Sequence, residues 1–192
     1  MIDNVDSYIM STYGVRKLEF IKGKGVYLFS SDNKRYLDFG SGIAVNSLGH
    51  CHPLLVKTLR KQSLKLWHTS NLYFNKSQEE YAKLLCKYSF AEKVFFTNSG
   101  SESIECGIKL IRSYNHYFKK FWKKNIITFK GSFHGRTMSA ISAQKNKKYS
   151  NDFKPLLPGF VQVPFDNINA LEKKIDEKTA AIMVETIQGE GG

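Results

Sequence analysis

The chain has 192 residues, 42% hydrophobic and 14% aromatic, a composition that buries a core and excludes a disordered polar tail. No apolar run approaches the roughly 20 residues that cross a bilayer, and the opening Met1-Ile-Asp-Asn-Val-Asp6 is acidic where a targeting peptide would be basic, so a soluble, cytoplasmic chain with no membrane role is expected. The net charge of +12 raises nucleic acid as a partner, but 24 of the 29 basic residues are scattered lysines and only 5 are arginines, the side chain that phosphate and base recognition favours, so no nucleic-acid role is expected.

In chain order, Gly25-Val-Tyr-Leu-Phe29 and Arg35-Tyr-Leu-Asp-Phe39 flank the turn residues Ser31-Asp-Asn-Lys34 and predict a β-hairpin. A Gly-containing loop leads to Pro53, and an amphipathic helix is predicted from about 54 to 67, with Leu55, Leu59 and Leu66 on one face. Ser77 and Glu80 form a capping-box pattern that opens a second helix running toward Tyr88. Val94-Phe-Phe-Thr97 reads as a strand, followed at once by Ser99-Gly-Ser-Glu102 and a helix in which Ile104, Ile108, Ile111, Asn115 and Phe118 share a face. Asn125–Phe129, Phe160–Val163 and 179–184 are further short apolar strands, with a polar helical segment near 169–175 between the last two. Strand and helix alternating in this way predict an α/β fold with a mostly parallel sheet. The hairpin makes residues 1–50 a small N-terminal segment, and 51–192 the first part of a larger domain. The lysine pairs at 119–120 and 123–124, and Lys145 with 147–148, read as a solvated helix end and a loop. Cys51, Cys86 and Cys106 are odd in number and far apart, so each is expected to be a small core residue rather than part of a disulfide or zinc framework. The chain stops at Ile187-Gln-Gly-Glu-Gly-Gly192 directly after a buried-type strand, where an α/β unit should continue, which reads as a truncation.

Three segments carry chemistry. In Val94–Glu102 a strand delivers the chain to Ser99, Gly100 permits close backbone approach, and the next helix presents free N–H groups and its positive dipole end, a geometry that suits a phosphate. The plainer account is a helix cap. The segment is neither a Walker loop nor a G-x-G-x-x-G fingerprint. In Lys130-Gly-Ser-Phe-His-Gly-Arg-Thr137, Phe133 could lie flat against a cofactor ring and Arg136 could grip a carboxylate with its planar fork; a packed loop aromatic and a surface arginine are the alternatives. In Glu185-Thr-Ile-Gln-Gly-Glu190, a carboxylate at a strand end could order a cofactor or pair with an arginine, or be an ordinary loop acid. Ligands of open α/β sheets gather at the carboxyl ends of strands, so the three segments are expected to converge on one crevice. His50-Cys-His52 offers three adjacent ligand types ahead of Pro53, which cannot all face one ion; no metal site is expected.

Together, Tyr36-Leu-Asp-Phe39, Ala44-Val-Asn-Ser-Leu-Gly-His-Cys-His-Pro53, Phe95-Phe-Thr-Asn-Ser-Gly-Ser-Glu102, Ser132-Phe-His-Gly-Arg-Thr137 and Val184-Glu-Thr-Ile-Gln-Gly-Glu-Gly-Gly192 resemble the class III, ornithine-type, pyridoxal-phosphate aminotransferases, from about Tyr13 onward. The acetylornithine branch resembles the chain most. The resemblance implies fold type I, a pyridoxal 5'-phosphate cofactor, and a homodimer whose sites take residues from both subunits. It implies that Gly100 and Ser101, with Ser99 beside them, hold the phosphate, that Phe133 stacks on the pyridine, and that Arg136 binds the substrate α-carboxylate. Glu185 matches a carboxylate near the cofactor, and Glu190 one that pairs with a later arginine and gates the second substrate. Gly42 stands where the ornithine branch is bulky and aromatic, which leaves room for an acylated amino group. Thr186 replaces a proline common among relatives.

The implied reaction moves the δ-amino group of N2-acetylornithine to 2-oxoglutarate in arginine biosynthesis. Succinyl-diaminopimelate, ornithine and 4-aminobutyrate are alternative donors, and a non-enzymatic basic binding module is the rival from another class. The Schiff-base lysine and the aspartate at the pyridine nitrogen fall beyond the Gln-Gly-Glu-Gly-Gly block, so no catalytic lysine is assigned and the 192-residue chain is expected to be an inactive fragment. Lys130, the lysine next to a site residue, is expected to point to solvent.

Overall fold

A computed structural model describes residues 8–10, 12–14 and 17–191; the acidic opening Met1–Asp6 and the final Gly192 lie outside them. The chain divides into two compact units, Met1–Ser77 and Gln78–Gly192. No helix among the described residues is long and apolar enough to cross a membrane.

The second unit is built on β4 (Asn125–Phe129), flanked in parallel by β5 (Phe160–Val163) and β6 (Thr179–Ile182) in the order β5-β4-β6. Alternation along β4 sends successive side chains to opposite faces. Ile126 packs with Ile108, Ala143 and Phe160, joined by partly buried Ile104 and Ile111 of helix Gly100–Tyr117, while Ile127 and Phe129 pack with Val163, Val161 and Leu171. Both faces are therefore covered, which a parallel sheet requires. Thr128 is fully buried, and its hydroxyl donates to the Ala143 carbonyl at 2.7 Å. The stripe predicted on helix Gly100–Tyr117 forms: Ile108 and Asn115 are buried, and the Asn115 amide donates to the Ile111 carbonyl at 2.8 Å. Phe118, past the helix end, is 50% exposed.

The first unit is an antiparallel meander, β1 (Phe20–Lys24), β2 (Tyr27–Ser30) and β3 (Arg35–Leu37), so the predicted hairpin is present with one more strand. Two lysines and a glycine in β1 dilute the apolar alternation that marks a strand. Gly23 is needed there because a Cβ would stand 2.6 Å from Cγ of the His50 ring. Gly25 and His50 bridge the meander to the following loop, and His50 Nε2 lies 2.6 Å from Asp38 Oδ2. That partner accounts for one imidazole of the His50-Cys-His52 run. Hydrogen bonding to His50, helped by the Ser41 amide, holds the Asp38 carboxyl below the usual range.

Several element expectations are corrected. Val94–Thr97 is not a ladder strand: the sheet ends at β5 and β6, and these residues pair with no strand among those described. Phe96 instead stacks on Tyr81 at 5.8 Å, and Phe95 is 77% exposed. Helix Pro53–Ser63 ends earlier than predicted and buries none of its residues; Leu55, Leu59 and Leu66 stay at least half exposed. Ser77 lies inside helix Lys76–Lys87 rather than ahead of it, because Lys76 already starts the helix. The segment near 169–175 narrows to helix Ile168–Glu172, capped by Asn167. None of the three cysteines is buried: Cys51 is exposed, and Cys86 and Cys106 are half-buried. Helix Met138–Gln144 was not anticipated, since Met-Ser-Ala-Ile-Ser-Ala-Gln has no polar face to give a period; its small side chains let it lie close to the sheet with Ala140–Gln144 buried.

Candidate functional site

The site is built at the carboxyl ends of β4 and β6. Ser99, in extended conformation, caps helix Gly100–Tyr117 by accepting from the Glu102 amide at 3.2 Å, while the Glu102 carboxylate accepts from the Asn98 amide at 2.6 Å. Thr97 and Ser103 hydroxyls meet at 2.6 Å and brace the same turn. Capping thus occupies the third helical amide. The Gly100 and Ser101 amides have no partner among the described residues, and a Cβ on Gly100 would meet nothing within 4 Å. Two N–H groups without partners among the described residues therefore stand at the positive end of an 18-residue helix, with open space beside Gly100, an arrangement that suits an anion.

The Phe-His-Gly-Arg turn lies directly against this helix start. Gly135 has φ +119, and a Cβ there would overlap the Ser101 hydroxyl and stand 3.1 Å from Ser101 Cβ. A side chain at Gly135 would force the two segments apart. Phe133 is 36% exposed. The Arg136 guanidinium lies 4.8 Å from the Phe133 ring centre and 3.7 Å from that of Tyr149. Stacking uses the flat face of the guanidinium and leaves its in-plane N–H fork for a carboxylate. Arg136 makes no ion pair among the described residues.

Behind the exposed pair, His134 is buried, its amide donating to the Gln144 side-chain carbonyl at 2.9 Å. Burial pushes the imidazole toward its neutral form. Its Nε2, the Ser132 hydroxyl and the Gln144 amide nitrogen have no partners among the described residues.

The third segment arrives from β6. Both Glu185 oxygens accept from the Phe133 amide at 3.3 Å, and burial raises the Glu185 carboxyl above its ordinary range while that hydrogen bond pulls it partly back. The Gln188 amide donates to the Lys130 carbonyl at 3.0 Å, between Gly131 and Gly191, where Cβ atoms would crowd its side-chain oxygen. Lys130 and Glu190 are exposed. All three predicted segments therefore meet. Two contributors were missed, Tyr149 and Gln144, because nothing in their local sequence links them to the Phe-His-Gly-Arg motif thirteen and eight residues earlier.

Gly42 lies in the other unit, within a left-handed turn where Ser41, Gly42, Ile43 and Ala44 all have positive φ. A Cβ there would stand 3.1 Å from the Asn46 amide nitrogen, so the backbone gives glycine a reason of its own.

Pyridoxal phosphate fits the groups present: two amides without partners at the helix start with open space beside Gly100 for the phosphate, a part-exposed ring nearby, and a half-buried carboxylate next to that ring.

Residues 10–192 match the aminotransferase class-III family. The chain is 51% identical over 185 residues to the acetylornithine aminotransferase of Agrobacterium fabrum, covering 96% of this chain and 46% of that protein. It is 48% identical over 186 residues to that of Clostridium acetobutylicum, covering 97% and 48%. Its fold matches the ornithine aminotransferase of Toxoplasma gondii with a TM-score of 0.90 at 30% identity, over 96% of this chain and 44% of that one. The N-acetylornithine aminotransferase of Stenotrophomonas maltophilia matches with a TM-score of 0.77 at 36% identity, over 93% and 44%. The chain thus spans about half the length of the curated relatives it matches. With its parallel sheet and a family match that runs from residue 10 to residue 192, the chain belongs to the class III aminotransferases, a pyridoxal-phosphate-dependent family of fold type I.

Proposed function

We propose that this chain is the N-terminal part of an acetylornithine aminotransferase, which transfers the δ-amino group of N2-acetylornithine to 2-oxoglutarate in arginine biosynthesis, as a cytoplasmic homodimer. The observation that carries the reading is the contact between Gly135 and Ser101, which joins the helix start to the turn bearing Phe133 and Arg136. The Gly100 and Ser101 amides hold the cofactor phosphate, Phe133 lies against its ring, and the Arg136 fork orients the substrate carboxylate. Glu185 positions Phe133 by accepting its amide, and Gln188 fixes the neighbouring loop. When bound, pyridoxal phosphate supplies an electron sink for the carbon that exchanges a proton during amino transfer. The cofactor-linking lysine has no assigned counterpart in residues 1–192, so the chain by itself is inactive.

The test joins residues 1–192 to the C-terminal half of the Agrobacterium fabrum relative. The chimera is expected to form glutamate from N2-acetylornithine and 2-oxoglutarate, the unjoined chain none, and Arg136→Ala is expected to lower kcat/KM about a hundredfold, as loss of a charge-assisted bidentate contact does. Turnover by the unjoined chain, or a chimera indifferent to Arg136→Ala, would contradict this reading. Preference for ornithine over N2-acetylornithine would favour the second reading, which the Toxoplasma gondii structural match supports.

A further inference from the structure

At the far end of helix Gly100–Tyr117, about 27 Å from its start at 1.5 Å per residue, lies a cavity of about 490 Å³. It is walled by Arg112, His116, Lys120, Lys123, Lys124 and Phe121, and no lining residue is acidic. The ion pairs Lys34–Asp32 and His50–Asp38 are in the other unit, and none of Arg112, Lys120, Lys123 and Lys124 is in an ion pair among the described residues. Lys123 donates to the Thr179 carbonyl at 2.9 Å; the Arg112 and Lys124 side chains make no hydrogen bond among the described residues. The Phe121 ring is 63% exposed and meets His116 edge-on at 5.2 Å, which leaves ring surface toward the cavity.

The loop carrying these groups is held in place. The Lys120 amide donates to the Asn115 carbonyl at 2.8 Å, the Lys123 amide to the Lys120 carbonyl at 3.0 Å, and the Lys124 and Asn125 amides both to the Lys178 carbonyl at 3.0 Å. At β5's entry, Gly159 has φ +94, and a Cβ there would stand 2.9 Å from the Lys124 carbonyl oxygen. A structural role for the charges is to complement the helix's negative end. That effect fades within the last turn, so it accounts for His116, and the Thr179 carbonyl accounts for Lys123, but Arg112, five residues before the helix end, and Lys124 are left unexplained.

We propose that this cavity binds a nucleoside polyphosphate, the phosphates on Arg112, Lys120 and Lys124 and the base against Phe121. Four cations and an imidazole lining one cavity with no acidic residue in its wall call for a multivalent anion, and an exposed aromatic wall selects one that carries a flat ring. The volume is in the range of small-ligand sites and suits a mononucleotide rather than a nucleic-acid strand. The site is separate from the phosphate grip at the helix start, so either can fail without the other.

Calorimetric titration of the full chain with ATP, inorganic triphosphate and adenosine at about 50 mM salt tests the proposal, with melting curves to confirm that each variant folds. ATP is expected to bind at one site, at least about fivefold more tightly than triphosphate, with adenosine weaker still. The double variant Arg112→Gln/Lys124→Gln is expected to weaken ATP at least about tenfold, whereas Lys57→Gln/Lys61→Gln, which removes equal charge from the other unit, changes it less than about twofold. Phe121→Leu should bring ATP down to the affinity of triphosphate. Equal losses in the two double variants would show diffuse attraction to the net charge and overturn the proposal. Indifference between ATP and triphosphate would overturn it too, as would an oligonucleotide that outcompetes ATP for the same residues.

Discussion

The two units treat apolar residues in opposite ways. In Gln78–Gly192 a short parallel sheet is packed on both faces, and every buried hydrophobic side chain among the described residues lies there. In Met1–Ser77 the one buried residue described is Ser30, and Leu59, Leu64 and Trp67 are 71%, 89% and 86% exposed. Hydrophobic periodicity marks which face of an element is apolar; it does not say whether the chain itself supplies what covers that face.

The sharpest way to test that contrast is to truncate one apolar side chain in each unit. Ile127→Ala, at a fully buried position, is expected to destabilise the chain by about 3 kcal/mol in a denaturant titration. Next in size, Gly135→Ala should cost about 1–3 kcal/mol, since it combines a positive φ with overlap on Ser101. Being at the seam, it should also weaken pyridoxal phosphate binding more than Ile127→Ala does at matched stability.

A smaller effect is expected from pH. The His134 imidazole is held neutral in the folded chain, its titration depressed below that of the unfolded chain, so its stabilising effect is complete above the ordinary histidine range near 6.5. As pH falls from about 7.5 to 5.5 the unfolded chain takes up the proton first, and stability should drop by at most about 1.4 kcal/mol per pH unit, the slope of one proton. His134→Asn should flatten that limb. Glu185 acts in the opposite sense: its raised titration makes the folded chain the better proton binder, so its cost grows as pH rises through and above the ordinary carboxyl range and is relieved in acid. At the bottom of the scale, Leu59→Ala should change stability by less than about 0.5 kcal/mol, and a larger loss would show that this face is covered in solution.

The legibility of the sequence follows the same divide. Asn125–Phe129 and Phe160–Val163 were readable to the residue because their side chains are buried against neighbours the chain provides. Val94–Thr97 was misread because apolar, β-branched composition encodes extension but not a ladder partner. The convergence of the helix start at Gly100 and Ser101 with the turn bearing Phe133 and Arg136 was legible because a glycine at a helix start and an aromatic-arginine turn are local patterns at strand ends. Tyr149 over Arg136, Gln144 behind His134 and Gln188 on Lys130 were not, since each is a tertiary contact between segments whose own sequences carry no signal of it.

The central claim is that the two free amides at the start of helix Gly100–Tyr117 receive a phosphate. Gly100→Pro isolates it. Proline is tolerated at a first helical position, Ser99 before it is already extended at φ −154 and ψ 163, and a side chain at Gly100 meets nothing within 4 Å, so the substitution deletes one N–H without disturbing the helix. In equilibrium dialysis of the purified chain, pyridoxal phosphate should bind more tightly than pyridoxal, and Gly100→Pro should weaken pyridoxal phosphate about tenfold or more while leaving Tm unchanged. Equal binding of pyridoxal phosphate by both proteins would place its phosphate elsewhere and contradict the account.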